Sequence, residues 1–363
     1  MPVSLCMIIK NEEANLPACL GPVVDLVDEI VVVDTGSADR SREVAASLGA
    51  HVFDFTWVED FSAARNESLR HATAPWIIWL DADDRVDEAN RAKLRTVLDS
   101  LGDENAAYMM QTALVSGTSL PRLVEHLRLF RNHPEIRWRY RIHEQIRPAV
   151  AQQGAELRRV DVVIQHVGYL DAELLQRKSE RNLRLLLLDH ADQPNNPDLL
   201  FHLGKHYFGH EDAKALFYLQ RCLLFARRDD PSVASLYVLL GRTLRRLGRN
   251  QEALAIYCQG LERYPGDVEL LSDQGYLRCV LHDFVGAEAC LGQVVHRRAA
   301  TDPSLLSKAH YNLGLLYHQQ GRWAEAESQY RAALALDPAY ADARNNLAAL
   351  HAQLGGGTGG PPS

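Results

Sequence analysis

Two stretches of the C-terminal half carry the same residue types at the same spacings. Each starts with a glycine and continues with glycine, alanine, tyrosine and proline at offsets of 7, 12, 16 and 24 residues. The residues are Gly241, Gly248, Ala253, Tyr257 and Pro265 in one copy, and Gly314, Gly321, Ala326, Tyr330 and Pro338 in the other. Small residues let paired helices approach closely, and the proline ends the second helix. The pattern therefore predicts stacked helix pairs.

The offsets resemble those of the 34-residue tetratricopeptide repeat. Gly275 follows Gly241 by 34 residues and belongs to a degraded copy, and a weaker first copy covers residues 199–224. Repeats of this kind bury their apolar faces only against one another. We therefore expect an all-α solenoid over residues 198–355.

The segments that flank the repeats are predicted from their composition. Residues 176–197 run from an amphipathic stretch into a polar segment broken by proline, which indicates a connecting helix and a linker. Residues 341–355 are expected to form a capping helix. The glycine-rich tail, 356–363, is expected to be disordered.

Residues 1–175 have a different organisation, in which apolar runs typical of strands alternate with amphipathic segments typical of helices. The predicted strands are 3–9, 29–34, 51–55 and 76–80. The predicted helices are 15–27, 37–49, 62–72 and 88–101, with Ser37 as the N-cap of the second. This alternation predicts an α/β domain with a mostly parallel sheet that helices cover on both faces.

Composition limits the classes of function. The formal net charge is -8, whereas nucleic-acid-binding domains are usually strongly basic, so we expect no nucleic-acid partner. The six cysteines form no C-x-x-C pair, which predicts neither a zinc site nor a disulfide framework, and free thiols favour a cytoplasmic location. The N-terminus lacks a basic leader pattern, and no apolar run reaches ~20 residues, so neither a signal peptide nor a transmembrane segment is expected. Peripheral membrane contact through a partner stays open.

Polar residues follow the predicted strands at their carboxyl ends, where open parallel sheets bind ligands. They are Lys10, Asn11 and Glu12 after the first strand, Asp34 after the second, Glu59 and Asp60 after the third, and Asp81 and Asp83 after the fourth. Clustered acids at this edge either bind a divalent cation, for which oxygen ligands suit Mg²⁺ or Mn²⁺, or hydrogen-bond a nucleotide. Asp34 could instead cap a turn, and Asp84 and Asp87 could be solvated loop charges or start the next helix.

Four segments, in this order, resemble the nucleotide-sugar-binding half of family-2 glycosyltransferases, which have the GT-A fold. They read SLCMIIKNEEANLPACL, DEIVVVDTGSADRS, DFSAARNESL and WIIWLDADD. The later segments RLFRN, RYRIHEQI and VIQHVGYLD resemble the subgroup in which tetratricopeptide repeats follow the catalytic domain. The resemblance implies a Rossmann-like GT-A domain over residues 1–175. A G-x-G-x-x-G loop is absent from the sequence, which weighs against a dinucleotide-dependent dehydrogenase.

The resemblance implies roles for individual residues in binding the donor. In that family the acid after the second strand contacts the base, usually uracil, and Asp34 matches it. The D-x-D motif is Asp81-Ala82-Asp83, whose first acid lies near the ribose and whose second coordinates the metal that bridges the diphosphate. Arg65 would pair with Asp81 or the diphosphate. The predicted nucleotide-sugar-binding residues are Lys10, Asn11, Glu12, Asp34, Asp60, Arg65, Asn66 and Asp81.

The resemblance also implies a base and a further metal ligand. An inverting transferase needs a carboxylate that takes the acceptor proton, and Glu144 stands where the family often places it, with His143 to orient it or to touch the diphosphate. GT-A enzymes often carry a ligating histidine at the position of His166, so the predicted metal ligands are Asp81, Asp83 and His166. A run of arginines could attract an anionic ligand or form a solvated face; its members are Arg128, Arg131, Arg137, Arg139 and Arg141.

These expectations favour a metal-dependent, inverting glycosyltransferase that uses a nucleotide sugar, with UDP-sugar as the expected donor and Mn²⁺ or Mg²⁺ as cofactor. The repeats would bind a protein or peptide, as acceptor or as scaffold partner, and a glycan acceptor also fits. A sugar nucleotidyltransferase usually has a glycine-rich basic loop where this chain reads KNEEANL. A third hypothesis is a non-catalytic scaffold with a vestigial first domain, against which the retained Asp34, Asp81 and Asp83 count.

Overall fold

The computed structural model describes residues 1–114, 122–168, 172–227, 233–298 and 301–355. Contacts within the chain divide it into two compact units, Met1–Asp189 and His190–Ser363. The tail predicted to be disordered, 356–363, lies outside the described residues, and so does the end of the VIQHVGYLD segment. None of the described helices combines the length and the apolarity that a membrane span needs.

One mixed sheet forms the centre of the first unit. Its strands are β1 (Val3–Ile9), β2 (Glu29–Asp34), β3 (His51–Asp54), β4 (Trp76–Trp79), β5 (Asp84–Arg85), β6 (Ala106–Leu114), β7 (Arg122–Arg131) and β8 (Glu156–His166). Their order across the sheet is β3-β2-β1-β4-β7-β6-β8-β5. The first four strands are parallel, β7 is antiparallel to β4 and β6, and β5 is antiparallel to β8. The first four strands therefore have the expected parallel, Rossmann-like arrangement.

Helices flank this sheet, and the first two are clearly shorter than predicted. They are α1 (Leu16–Leu20), α2 (Ser41–Ser47), α3 (Phe61–His71), α4 (Glu88–Asp99), α5 (Arg147–Gln152) and α6 (Ala172–Asp192). The predicted helix 15–27 ends at Leu20, because Pro22 lacks the N–H group that would continue it. Turns follow instead, in which the N–H groups of Val23 and Val24 bond to the carbonyl of Leu20.

Ser37 does not cap α2, so that prediction is wrong. The helix begins at Ser41 after Arg40. The carboxylate of Asp34 accepts hydrogen bonds from the backbone N–H and the hydroxyl of Ser37, which folds the intervening residues into a turn. The N–H and hydroxyl groups of Ser37 are therefore used in this turn, which ends before the helix begins.

The core lies on both faces of the sheet. Leu5 and Met7 of β1 pack into one cluster with Leu94 of α4, while Cys6, between them, packs into another with Leu69 of α3. Successive strand residues point to opposite faces, so a strand buried on both sides reads as a continuous apolar run. This explains the runs that predicted the strands.

The second unit is helical throughout its described elements. These are α7 (Pro197–Tyr207), α8 (Asp212–Phe225), α9 (Val233–Arg246), α10 (Asn250–Arg263), α11 (Val268–Val280), α12 (Phe284–His296), α13 (Pro303–Gln319), α14 (Trp323–Leu336) and α15 (Ala341–Gly355). Consecutive helices pair as α7 with α8, α9 with α10, α11 with α12, and α13 with α14, and α15 packs on α14. The expected all-α repeat architecture is confirmed.

In two of these helix pairs, α9 with α10 and α13 with α14, the repeated glycine packs against the repeated tyrosine. A Cβ atom on Gly241 would lie 2.2 Å from Cε1 of Tyr257, and one on Gly314 would lie 2.5 Å from Cε1 of Tyr330. Both tyrosine rings are fully buried against the facing helix. The tyrosine therefore fits only where its partner helix has no side chain.

We predict that Gly241→Ala destabilises the second unit by about 1–3 kcal/mol, because the added methyl group would overlap the ring of Tyr257. The matched control is Gly292→Ala in α12, where an added Cβ meets nothing within 4 Å. That variant should be more stable than the wild type by about 0.5–1 kcal/mol, because alanine is more favourable than glycine inside a helix. Urea unfolding followed by circular dichroism measures both changes. Equal effects of the two variants would contradict the packing account.

Candidate active site

The carboxyl ends of the parallel strands bring the predicted acidic residues to one edge of the sheet. Asp81 and Asp83 follow β4, and Asp84 begins β5 directly afterwards. β5 pairs with the end of β8 so that Asp84 lies opposite His166, and the carbonyl of Asp83 accepts a hydrogen bond from the N–H of Val167 at 3.0 Å. This pairing brings His166, at the end of β8, next to Asp84, although the two residues are 82 positions apart in the chain.

Four side chains form a cluster with the donor atoms of a metal site. A carboxylate oxygen from each of Asp81, Asp83 and Asp84 and a ring nitrogen of His166 all lie within 4.8 Å of one another. Nδ1 of His166 lies 3.0 Å from Asp84 and 3.4 Å from Asp83. Three carboxylates and one imidazole are donors that suit Mn²⁺ or Mg²⁺, so the residues fit the expected cofactor.

Asp84 is not the solvated loop charge or helix-starting residue that the sequence suggested. Its carboxylate is fully buried and lies 2.8 Å from Nη1 of Arg128, which is also buried. It also accepts a hydrogen bond from the N–H of Asp81 at 2.9 Å. Arg128 packs its guanidinium 3.9 Å from the ring centroid of Trp79, so it is part of neither a solvated face nor a diphosphate site. Asp87 does start the next helix, because its side chain accepts from the N–H of Asn90 at 2.8 Å.

The charge of Asp83 is the least neutralised in the cluster. Arg65 pairs with Asp81 and Arg128 with Asp84, whereas His166 is the one basic side chain of the described residues that pairs with Asp83. Burial raises the pKa of Asp83; His166 opposes this rise, and the neighbouring carboxylates of Asp81 and Asp84 add to it. The hydrogen bond to Asp84 raises the pKa of His166 against the opposite effect of burial. A cation at Asp83 would relieve this repulsion.

Arg65 joins the acid cluster to the predicted base. Its Nη2 atom lies 2.8 Å from Oδ1 of Asp81, and its Nε atom lies 2.7 Å from Oε1 of Glu144. The guanidinium is buried against two indole rings that contact each other, 4.7 Å from the centroid of Trp79 and 5.0 Å from that of Trp138. Burial alone would raise the pKa of Asp81, but the charges of Arg65 and Arg128 outweigh it and hold that pKa well below its usual range. Both carboxylates are thereby kept at fixed positions around one cation.

A tight backbone loop presents Glu144. Arg139 and Gln145 exchange backbone hydrogen bonds of 3.1 and 3.0 Å, and both Tyr140 and His143 adopt positive φ angles, of 73° and 54°. The carbonyl of Arg141 accepts from the first residue of α3, and its N–H and guanidinium donate to Asp189 of α6 at 2.7 Å. The loop therefore places Glu144 by contacts to two helices, while His143 is exposed.

The remaining predicted residues lie at the edge, but most of their polar groups bond within the fold. Asp34 caps the turn at Gly36 and Ser37, which is the alternative that the sequence left open. Asn11 accepts from the N–H of Ala38, the N–H of Glu12 donates to Ser41, and Lys10 is exposed.

Asp60 and Asn66 make contacts within the fold, and their assignment to the nucleotide stays a prediction. The side chain of Asp60 is the N-cap of α3 and accepts from Ala63 at 3.0 Å. Asn66 exchanges hydrogen bonds of 3.0 and 2.8 Å with the backbone of Trp138. These contacts hold α3, which carries Arg65, and the indole ring of Trp138 in place.

Sequence reasoning missed Trp79, Trp138, Asp189 and the Arg128–Asp84 pair. One signal for Arg128 was present, because it stands between Leu127 and Leu129, with Phe130 following in the same strand. A charge in such a run needs a buried partner. The positions of the two tryptophans and of Asp189 follow from tertiary contacts that no local pattern encodes.

Comparison with known proteins identifies both units. Residues 4–155 match the family model described as glycosyl transferase family 2, and residues 234–277 and 314–355 match tetratricopeptide repeat models. A TPR repeat-containing protein of Synechococcus elongatus is 33% identical over 345 residues, which cover 93% of this chain and 76% of that protein. The chain belongs to the family-2 glycosyltransferases that carry tetratricopeptide repeats.

Relatives in this glycosyltransferase family cover different shares of the chain. The prophage-derived glycosyltransferase SunS of Bacillus subtilis is 26% identical over 287 residues, covering 74% of this chain and 65% of SunS. The lipopolysaccharide core biosynthesis glycosyltransferase LpsC of Rhizobium meliloti is 26% identical over 164 residues, covering 42% of this chain and 58% of LpsC. Among solved structures, the TPR protein YrrB covers 48% of this chain and 87% of its own at 20% identity, with a TM-score of 0.38.

We predict that Arg128→Met destabilises the first unit by about 3–5 kcal/mol, because it leaves the fully buried carboxylate of Asp84 without its cation. The control is Arg95→Met, which removes an exposed ion pair with Asp25 and should cost at most about 1 kcal/mol. Urea unfolding followed by tryptophan fluorescence distinguishes the two. If both variants unfold at the same urea concentration, the buried ion pair stabilises the first unit no more than the exposed one does.

Proposed function

We propose that this glycosyltransferase is a metal-dependent, inverting enzyme that moves a sugar from a UDP-sugar to a protein, peptide or glycan acceptor. The observation that supports this proposal most is the buried Arg65. Its single guanidinium forms ion pairs with both Asp81 of the acid cluster and Glu144. A donor bound through the cluster would thereby lie next to a carboxylate on the acceptor side. This is the arrangement that inverting transfer requires.

In this proposal Asp83 and His166, with Asp81 and Asp84, hold the metal, and Asp34 contacts the base. Bound Mn²⁺ or Mg²⁺ would offset the charge of the diphosphate as a Lewis acid. Asp83 is the principal ligand, because the other two acids already have an arginine. The fixed positions of the ligands require little reorganisation on binding.

Glu144 acts as the general base in the proposed reaction. Its Oε1 is held by Arg65, and Oε2 has no hydrogen-bond partner in the part of the chain that the structure describes, so that oxygen is available to the acceptor. As the acceptor nucleophile forms its bond to C1 of the sugar, its proton moves to Glu144. The bond from C1 to the diphosphate oxygen breaks, and its electron pair leaves with the nucleoside diphosphate. Attack opposite the leaving group inverts C1.

We also propose that the repeats bind a protein or peptide, either the acceptor or a scaffold partner. Stacked helix pairs present an extended surface suited to such ligands. A cytoplasmic location is part of the proposal, since all six cysteines are free thiols, as expected in a reducing compartment.

We predict that Asp83→Ser abolishes the Mn²⁺-dependent part of UDP binding. The substitution removes the carboxylate of the cluster that is not paired with an arginine among the described residues. Isothermal titration with UDP, with and without Mn²⁺, measures this. Asp87→Ser is the matched control: it lies four residues further, retains an N-capping side chain for α4 and should bind UDP as the wild type does. UDP that binds equally well to wild type and Asp83→Ser would refute the metal assignment.

We predict that Glu144→Gln lowers the turnover of a UDP-sugar by about 10²–10⁴-fold, the usual contribution of a general base. UDP affinity should stay within about twofold, since Glu144 does not belong to the acid cluster. The rate is that of the hydrolysis of several UDP-sugars, measured from the UDP that is released. Glu156→Gln, an exposed position on β8, is the control for the substitution itself. Full turnover by Glu144→Gln would show that another group is the base.

A further inference from the structure

Helix α6 places a guanidinium near the Glu144 side of the site. The Cζ atom of Arg181 lies 4.8 Å from the ring centroid of Phe61, the first residue of α3. Phe61 and Arg65 are four residues apart on that helix, so their side chains are neighbours on one face. The N–H of Phe61 also bonds to the carbonyl of Arg141 in the loop that carries Glu144. Arg181 therefore lies about one helical turn from the Arg65–Glu144 ion pair.

Arg181 differs from the other arginines around it in its partners. Arg65 has two carboxylates, Arg141 pairs with Asp189, and Arg184 pairs with Glu59. The guanidinium of Arg181 contacts the amide oxygen of Asn182 at 3.0 and 3.3 Å, and no carboxylate of the described ranges lies within 4.0 Å of it.

Burial makes this cation costly. Arg181 is partly buried against Phe61, and this burial lowers its pKa, while the more distant charges of Glu144 and Glu59 oppose the shift. An arginine keeps its charge in proteins, so the partly desolvated guanidinium lacks a close counterion. Its fork of N–H groups matches the geometry of a carboxylate or phosphate.

We propose that Arg181 binds an oxyanion of a substrate beside Glu144. The proposal rests on the proposed function, since it takes Glu144 to mark the acceptor side. The anion has two possible sources, the diphosphate of the donor or an acidic group of the acceptor. Contacts run from the acid cluster through Asp81 and Arg65 to Glu144, whereas Arg181 lies against Phe61, the first residue of the helix that carries Arg65. This order favours the acceptor.

The first arm of the test compares UDP and uridine. Both are titrated with Mn²⁺ into wild type, Arg181→Gln and the control Arg95→Gln, which removes an exposed arginine of α4. If the anion is the diphosphate, Arg181→Gln loses about tenfold or more in UDP affinity, the size of a charge-assisted hydrogen-bond pair, with uridine affinity unchanged. If the anion belongs to the acceptor, UDP affinity stays within about twofold.

The second arm uses sulfate as a probe, without nucleotide. The side-chain Nε–H resonance of Arg181, identified by its loss in Arg181→Gln, is followed as sulfate replaces chloride at constant ionic strength. An acceptor-type site predicts a saturable shift of this resonance together with unchanged UDP affinity.

The proposal is overturned if sulfate leaves the Arg181 resonance unmoved and Arg181→Gln binds UDP as the wild type does. Failure of the proposed function gives a different result, in which the wild type itself binds no UDP. The sulfate arm needs no nucleotide, so it still tests Arg181 in that case.

Discussion

The buried guanidinium of Arg65 is the contact on which the site depends. It lies against two indole rings and forms two ion pairs, to Asp81 and Glu144. Removing a cation from water is costly, and the two carboxylates and the aromatic faces offset that cost only in this geometry. The Asp60 cap of α3 and the Asn66 contacts to Trp138 hold that geometry in place. The acid cluster and Glu144 are thereby joined through one side chain.

The acids at the edge of the sheet divide into two kinds. Asp81 and Asp84 each have an arginine, and their negative charge is balanced within the fold. Within the described part of the chain Asp83 pairs with a histidine and no arginine, and its repulsion by the other two acids favours a cation. A chain kept only as a scaffold would gain stability by replacing such buried charges with apolar residues. The arrangement is therefore better explained by ligand binding than by folding.

Local patterns predicted much of the fold, whereas the site needed tertiary contacts. The offsets that start at Gly241 and Gly314 encode helix pairing within about 34 residues, and apolar runs encode strands buried on both faces. The Asp84–Arg128 pair joins residues 44 positions apart across strands that are not consecutive, so no spacing rule reveals it. Ser37 failed as a helix cap because Asp34, three residues earlier, uses its polar groups. Local propensity was overridden there by a competing side chain.

The central claim is that the edge of the sheet holds a metal next to a base positioned by Arg65. Anomalous diffraction at the manganese edge, from crystals grown with UDP and Mn²⁺, tests it most directly. We expect one strong peak at about 2.0–2.3 Å from a carboxylate oxygen of Asp83 and from a ring nitrogen of His166, with Arg65 still between Asp81 and Glu144. A manganese peak away from Asp83, or a nucleotide bound without metal at this edge, would contradict the account.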